Sequence, residues 1–389
     1  MSNNNRWTKW MLRIVSYIMV AVLASITTLF LAVEAPSKLT QLEALISQRF
    51  IGEVDNTAIE DAAADAMVQA LGDPWSYYIP ADEYAAYEER KENAYVGVGM
   101  TVAVRQDGMG LDIQKVEPGG SAKEQGVLPG DILVAVEGQK VADLGIDGTK
   151  DLIRGEADTQ VSLTVLRNGL ELNFTLTRQK LRNPVAVGTM LDGKIGLVTI
   201  ANFNENCFVE SKAAVEALLE QGAEKLIFDV RNNPGGYKSE LVKLLDYLLP
   251  EGPLFRSLYY TGQEDVDTSD ETCLQLPMAV LINGSSYSAA EFFAAALEEY
   301  DWAVVVGTPT SGKSYFQNTY EMTDGSAVGL SVGKYFTPNG VSLADEGGLV
   351  PQVLIEVDEQ TAALIYADAL EPAEDPQIQA AVKALKETK

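Results

Sequence analysis

The run Met278-Ala279-Val280-Leu281-Ile282 passes through Asn283-Gly284-Ser285-Ser286-Tyr287-Ser288 into an alanine-rich stretch carrying Phe292, Phe293 and Leu297. Its length and β-branched content fit a buried strand, and the stretch after it fits a helix. A strand joined to a helix by so short a turn commits the chain to a layered arrangement, because the helix must pack back on a sheet. The same alternation recurs upstream. Residues 194–200 read as a strand, and residues 210–220 as an amphipathic helix with Ala213, Ala214, Ala217 and Leu218 on one side. Residues 226–230 read as another short buried strand. The expected class is therefore α/β, with a largely parallel sheet packed by helices.

Ser288 and Glu291 have the spacing of a capping box, which puts Ser288 at the helix start. A serine there is either a cap or a nucleophile exposed beside free backbone N–H groups. The 389 residues contain no histidine. A Ser-His-Asp arrangement is thereby excluded, and a serine–lysine pair is the main option left. A lysine follows the apolar run Val304-Val305-Val306, after the turn Thr308-Pro309-Thr310-Ser311-Gly312. This is Lys313, with Gln317 four residues on, a spacing that puts both side chains on one face of either a helix or a strand.

Ser288 in Ser-Tyr-Ser-Ala-Ala-Glu, and Lys313 with Gln317 in Gly-Lys-Ser-Tyr-Phe-Gln, resemble the active-site blocks of the carboxyl-terminal processing peptidases. Lys313 follows Ser288 by 25 residues (288 to 313), as in that family, and this singles out Ser288 over Ser285 and Ser286. Residues 229–236, Asp-Val-Arg-Asn-Asn-Pro-Gly-Gly, resemble a third block. The resemblance covers most of the chain after about residue 40. It implies a crotonase-like or ClpP-like spiral of ββα units. It also implies a serine endopeptidase in which Ser288 attacks, Lys313 is the general base and Gln317 orients it. Burial would have to lower the pKa of Lys313 for that role. The oxyanion would be held by the N–H of Ala289 and one from the Gly235-Gly236 turn. Read by itself, Asn-Pro-Gly-Gly is also an ordinary tight turn.

Residues 94–181 change texture to short strands and glycine turns. Val96-Gly97-Val98-Gly99-Met100 is a glycine-flexed loop, and residues 127–138 alternate toward a strand. Both resemble a circularly permuted PDZ domain. The resemblance implies that Val96, Gly97, Val98, Gly99 and Met100 capture the terminal carboxylate of a polypeptide, with an apolar groove taking its last side chain. Asp158 stands before Thr159 where the family more often has glycine. Before this domain, residues 34–93 read as helical, broken at Gly72-Asp73-Pro74-Trp75-Ser76. Trp75 replaces a histidine of the related pattern, a departure read as structural.

Residues 14–33 are uncharged and mostly apolar, long enough to cross a bilayer, with Arg6, Lys9 and Arg13 before them. A retained signal anchor is expected rather than a cleaved peptide, with the rest of the chain facing outside. The formal net charge of −27 argues against nucleic-acid binding. Cys207 and Cys273 are too few for a disulfide framework, and their pairing is not readable. With no histidine and no cysteine cluster, neither a metal nor another cofactor is expected. The expected organisation is flank and anchor (1–33), helical region (34–93), PDZ domain (94–181), catalytic domain (182–358) and helical tail (359–389). The tail either caps the catalytic domain or pairs with a second subunit as a homodimer. Two rivals are an inactive PDZ scaffold, which needs a lost site residue, and a crotonase-type acyl-CoA enzyme.

Overall fold

The computed structural model describes residues 7, 10–20, 22, 37–105 and 107–387. The chain divides into two compact units, Met1–Ala66 and Met67–Lys389. In the first, the helix Lys38–Arg49 is capped by Ser37, whose hydroxyl accepts the Thr40 N–H at 3.2 Å. The expected anchor at residues 14–33 lies largely outside the described residues. Among the described residues no helix is long and apolar enough to cross a membrane.

The second unit is built on a six-stranded sheet in the order Ala186–Leu191, Ile195–Ile200, Lys225–Asp229, Met278–Ile282, Ala303–Gly307, Val353–Leu354. Its first pair is antiparallel and every later pair is parallel. Successive side chains of a strand face opposite ways, and the apolar residues serve both faces. Phe228, Val280 and Val305 join Val215, Leu244 and Phe293 from the helices Cys207–Glu220, Lys238–Leu248 and Ala289–Glu299. Ile227, Leu281 and Val306 instead meet Ile378, Ala381 and Leu385 of the helix Pro376–Glu387. The end of the tail thus covers the second face of the sheet. It is pinned there by Arg231, whose buried guanidinium reaches Asp229 at 2.6 Å and Asp375 at 2.8 Å.

A second sheet departs from the parallel expectation. Tyr77–Ile79, Ala327–Phe336, Gly252–Tyr259 and Glu264–Ser269 pair in that order, and Tyr315–Glu321 also pairs with Ala327–Phe336, all antiparallel. Tyr77–Ile79 falls in the region expected to be helical. The Gly72–Pro74 break stops the helix, and the Tyr77 ring then lies on Gly329, where a Cβ would come within 2.2 Å of the ring. Only a glycine admits that contact.

The PDZ-like module has a separate sheet and its own core, including Ile113, Leu133, Val136, Leu163 and Leu176. A two-stranded ribbon, Ala94–Gly97 with Gln179–Arg182, carries the chain into and out of it. Asp158 adopts φ 63°, the left-handed conformation for which glycine is suited. Cys207 is buried, Cys273 is half-buried, and both are free thiols.

Candidate active site

The strand Met278–Ile282 delivers the turn at residues 283–288, and hydrogen bonds fix each of its serines differently. Ser286 is fully buried and its hydroxyl donates to the Val230 carbonyl at 2.7 Å. Ser285 is exposed, its N–H donating to Asn283 Oδ1 at 3.1 Å. Ser288 stands at φ 56°, ψ −126°, immediately before the helix Ala289–Glu299. A non-glycine residue there costs on the order of 1–3 kcal/mol and persists only where its surroundings hold it.

Glu291 is what holds it. Its carboxylate, with no exposure, accepts the Ser288 N–H at 2.8 Å, the Lys313 N–H at 2.8 Å and the Gly312 N–H at 2.6 Å. A fourth bond comes from the Thr310 hydroxyl at 2.5 Å. One side chain therefore ties the serine turn to the lysine loop. Burial pushes the Glu291 carboxyl above its ordinary value, against the pull of these four donors. The capping-box spacing pointed to Glu291 as a helix cap only; its grip on residues 310–313 carries no sequence signal.

Lys313 follows the strand Ala303–Gly307 and precedes the strand Tyr315–Glu321. Burial lowers its amine below the usual lysine range, opposed by the charges of Asp73 and Glu291. Its Nζ lies 4.7 Å from the Trp75 ring centre and 5.9 Å from that of Tyr287. Gln317 donates through Nε2 to Ser331 Oγ at 2.9 Å and to the Tyr315 carbonyl at 3.1 Å. Ser288, Lys313, Gln317 and Gly236 all line one cavity of about 560 Å³, together with Tyr237 and Lys91.

The glycine pair divides its work. Gly235 gives space: a Cβ on it would sit 2.8 Å from Ser288 Cβ and 2.9 Å from the Ala289 nitrogen. Its N–H is already committed to Asn233 Oδ1 at 2.8 Å, so the expectation that either glycine could donate to an oxyanion narrows to Gly236. Gly236 pairs with Phe203 and lines the cavity. Ala289, as the first residue of its helix, presents an N–H of the kind that intrahelical bonding leaves over.

The PDZ loop builds a different cavity, of about 280 Å³. Gly97, Val98, Gly99 and Met100 line it, with Lys150 and Ile153 of the helix Val141–Ile153. Val96 does not; it sits within the ribbon, opposite Lys180.

Residues 194–355 match the pattern of peptidase family S41, and residues 113–167 match the PDZ domain. The carboxyl-terminal-processing protease of Synechocystis sp. (strain ATCC 27184 / PCC 6803 / Kazusa) is 30% identical over 336 residues, covering 85% of this chain and 76% of that protein. The chain belongs to the S41 peptidase family. Carboxy-terminal processing protease CtpA of Bacillus subtilis (strain 168) is likewise 30% identical, over 85% of this chain and 71% of that one. A probable CtpA-like serine protease of Staphylococcus aureus (strain N315) is 29% identical over 82% of this chain, which spans only 64% of its length. A Bacteroides fragilis NCTC 9343 protein assigned to the S41 proteases has the same fold, with a TM-score of 0.53 at 16% identity, over 92% of this chain and 99% of that one. The α/β core with an added PDZ domain is the expected S41 arrangement.

Proposed function

We propose that this S41 member is a serine endopeptidase acting near the carboxyl termini of polypeptides, with Ser288 as nucleophile, Lys313 as general base and Gln317 as its orienting partner. The observation that carries the reading is the pairing of a strained helix-start serine with a half-buried lysine on one cavity, both tethered to Glu291. Desolvation favours the neutral amine, which takes the Ser288 proton as Oγ attacks the scissile carbonyl. The N–H groups of Ala289 and Gly236 receive the developing oxyanion. The protonated lysine returns the proton to the leaving amine, and water then releases the acyl-enzyme by the same route. The PDZ module holds the substrate's terminal carboxylate, and residues 14–33 anchor the chain in a membrane with the catalytic unit outside the cell.

A serine-directed fluorophosphonate should label the protein, and Ser288→Ala should abolish both labelling and casein cleavage. Retained cleavage in Ser288→Ala would remove the nucleophile assignment. For the anchor, a chain starting at Ser37 should be active without detergent. Recovery of a membrane-extracted protein whose amino terminus lies beyond residue 33 would refute retention of the anchor.

A further inference from the structure

The break at residues 72–76 ends against the lysine. Trp75 offers its ring face to Lys313 Nζ and lies 6.3 Å from the Tyr287 ring, so the amine lies beside both aromatic rings and nearer Trp75. Trp75 is itself held by Asp73, whose carboxylate accepts the Trp75 N–H at 3.1 Å and the Ser76 hydroxyl at 2.6 Å. Ser76 Oγ accepts the Ser331 N–H at 3.1 Å, and Ser331 Oγ accepts from Gln317 Nε2 at 2.9 Å. The other Gln317 hydrogen goes to Tyr315. Both amide hydrogens are committed, so Oε1 is the atom that Gln317 has left to offer an amine.

We propose that residues 73–76 are a positioning element for the serine–lysine pair: Trp75 shelves the Lys313 amine, while Asp73, through Ser76 and Ser331, fixes the face that Gln317 turns toward it. The proposal rests on reading Lys313 as the base. A turn that merely ended a helix would need neither the ring under the amine nor the hydrogen-bond chain to Gln317. Two carboxylates act on Lys313, Asp73 from this turn and Glu291 from the helix after Ser288, while Lys91 lines the same cavity with its amine over the Tyr87 and Tyr237 rings. Tyr287 lies beside it, and Tyr77, Tyr87, Tyr237, Tyr315, Tyr320 and Tyr335 line the same cavity. Asp73 and the ring faces favour the ammonium form, and burial disfavours it. The turn therefore sets the protonation of the base as well as the aim of its partner.

These two actions separate in variants of the full chain, assayed with a short fluorogenic peptide across pH. Asp73→Asn keeps an acceptor for Ser76 but removes a negative charge near the amine. Its acidic limb should move to lower pH, by about a threefold change in proton affinity. Ser331→Ala leaves every charge in place and frees the Gln317 amide. Its kcat should fall roughly tenfold, with KM and the acidic limb unchanged, and Ser331→Thr should restore it. Trp75→Phe should retain more activity than Trp75→Leu. A readout independent of turnover is acetylation of Lys313 by acetic anhydride in a Ser288→Ala background, followed by mass spectrometry. Half-labelling should occur at lower pH when Asp73→Asn is added. If Lys313→Met is inactive while Asp73→Asn and Ser331→Ala both behave as wild type, the positioning role is overturned and the base assignment stands. If Lys313→Met retains activity, the base assignment fails. Should Asp73→Asn not fold, Ser331→Ala decides alone, an unchanged kcat overturning the proposal.

Discussion

A lysine serves as a base only when its ammonium is the less comfortable form. At Lys313 burial outweighs the two carboxylates in sight, and the amine titrates below an ordinary lysine. The sign follows directly: the neutral fraction rises with pH, so kcat should climb through a limb centred below the usual lysine range of about 10.4. A rate flat across pH, with acylation shown to be limiting, would exclude a lysine base. Lys313→Met keeps the apolar stem and removes the half-buried amine. It should abolish cleavage without lowering the melting temperature, because no charge then has to be desolvated at neutral pH. Glu291 behaves in the opposite way. Glu291→Gln replaces one accepting oxygen by a donor facing N–H groups, leaving buried donors unpaired at about 1–3 kcal/mol each. Both the melting temperature and kcat should drop, since the serine turn and the lysine loop lose their common tether. A variant of wild-type stability would show that the four bonds are not what holds the site.

At the scale of elements, the helix after Ser288 shows what the sequence made legible. Ala289–Glu299 follows a five-residue apolar strand, and its alanines allow close approach while Phe292 and Phe293 fill the space beyond. Phe293 meets Phe203 at 5.6 Å and Phe228 at 5.5 Å, so Phe293→Ala should cost about 3–5 kcal/mol, measurable by denaturant unfolding. The parallel sheet was readable because its internal strands carry apolar runs, such as Leu226-Ile227-Phe228 and Met278–Ile282. The antiparallel sheet was not. Ala327–Phe336 mixes glycines and polar residues, and Tyr77–Ile79 has three residues whose partner lies some 250 positions away. The blocks and their spacing picked out Ser288, Lys313 and Gln317, which line one cavity. Asp73, Trp75 and Ser331 were not, because what connects them to Gln317 is sheet register, with Gln317 opposite Ser331. Sequence distance gives no hint of that pairing.

Across the whole molecule, the route between the PDZ module and the catalytic cavity is short. Asn93, at the foot of the ribbon, accepts from Asn202 Nδ2 at 2.7 Å, and its own Nδ2 donates to the Glu205 carbonyl at 3.1 Å. The segment between those residues holds Phe203, whose N–H donates to the Gly235 carbonyl at 2.7 Å and whose backbone pairs with Gly236. These bonds connect the ribbon to the glycine turn beside Ser288. If the module only tethers substrate, removing its ligand contact should change KM alone. Amidating a peptide's carboxyl terminus takes away one charge and should raise KM about tenfold, equivalent to roughly 1.4 kcal/mol. Asn93→Ala tests the alternative, in which the ribbon also sets the turn. It leaves the peptide-binding cavity intact, so a tether predicts unchanged kcat on a short peptide that does not need the PDZ module. Coupling through Phe203 predicts a lower kcat with the same KM, because the Gly236 N–H is no longer held where the oxyanion forms. We expect the lower kcat, since the side chain of Asn93 makes two of the bonds between the ribbon and the segment that carries the turn, beside the Arg182–Glu205 pair. Wild-type turnover in Asn93→Ala would leave the module a tether and nothing more.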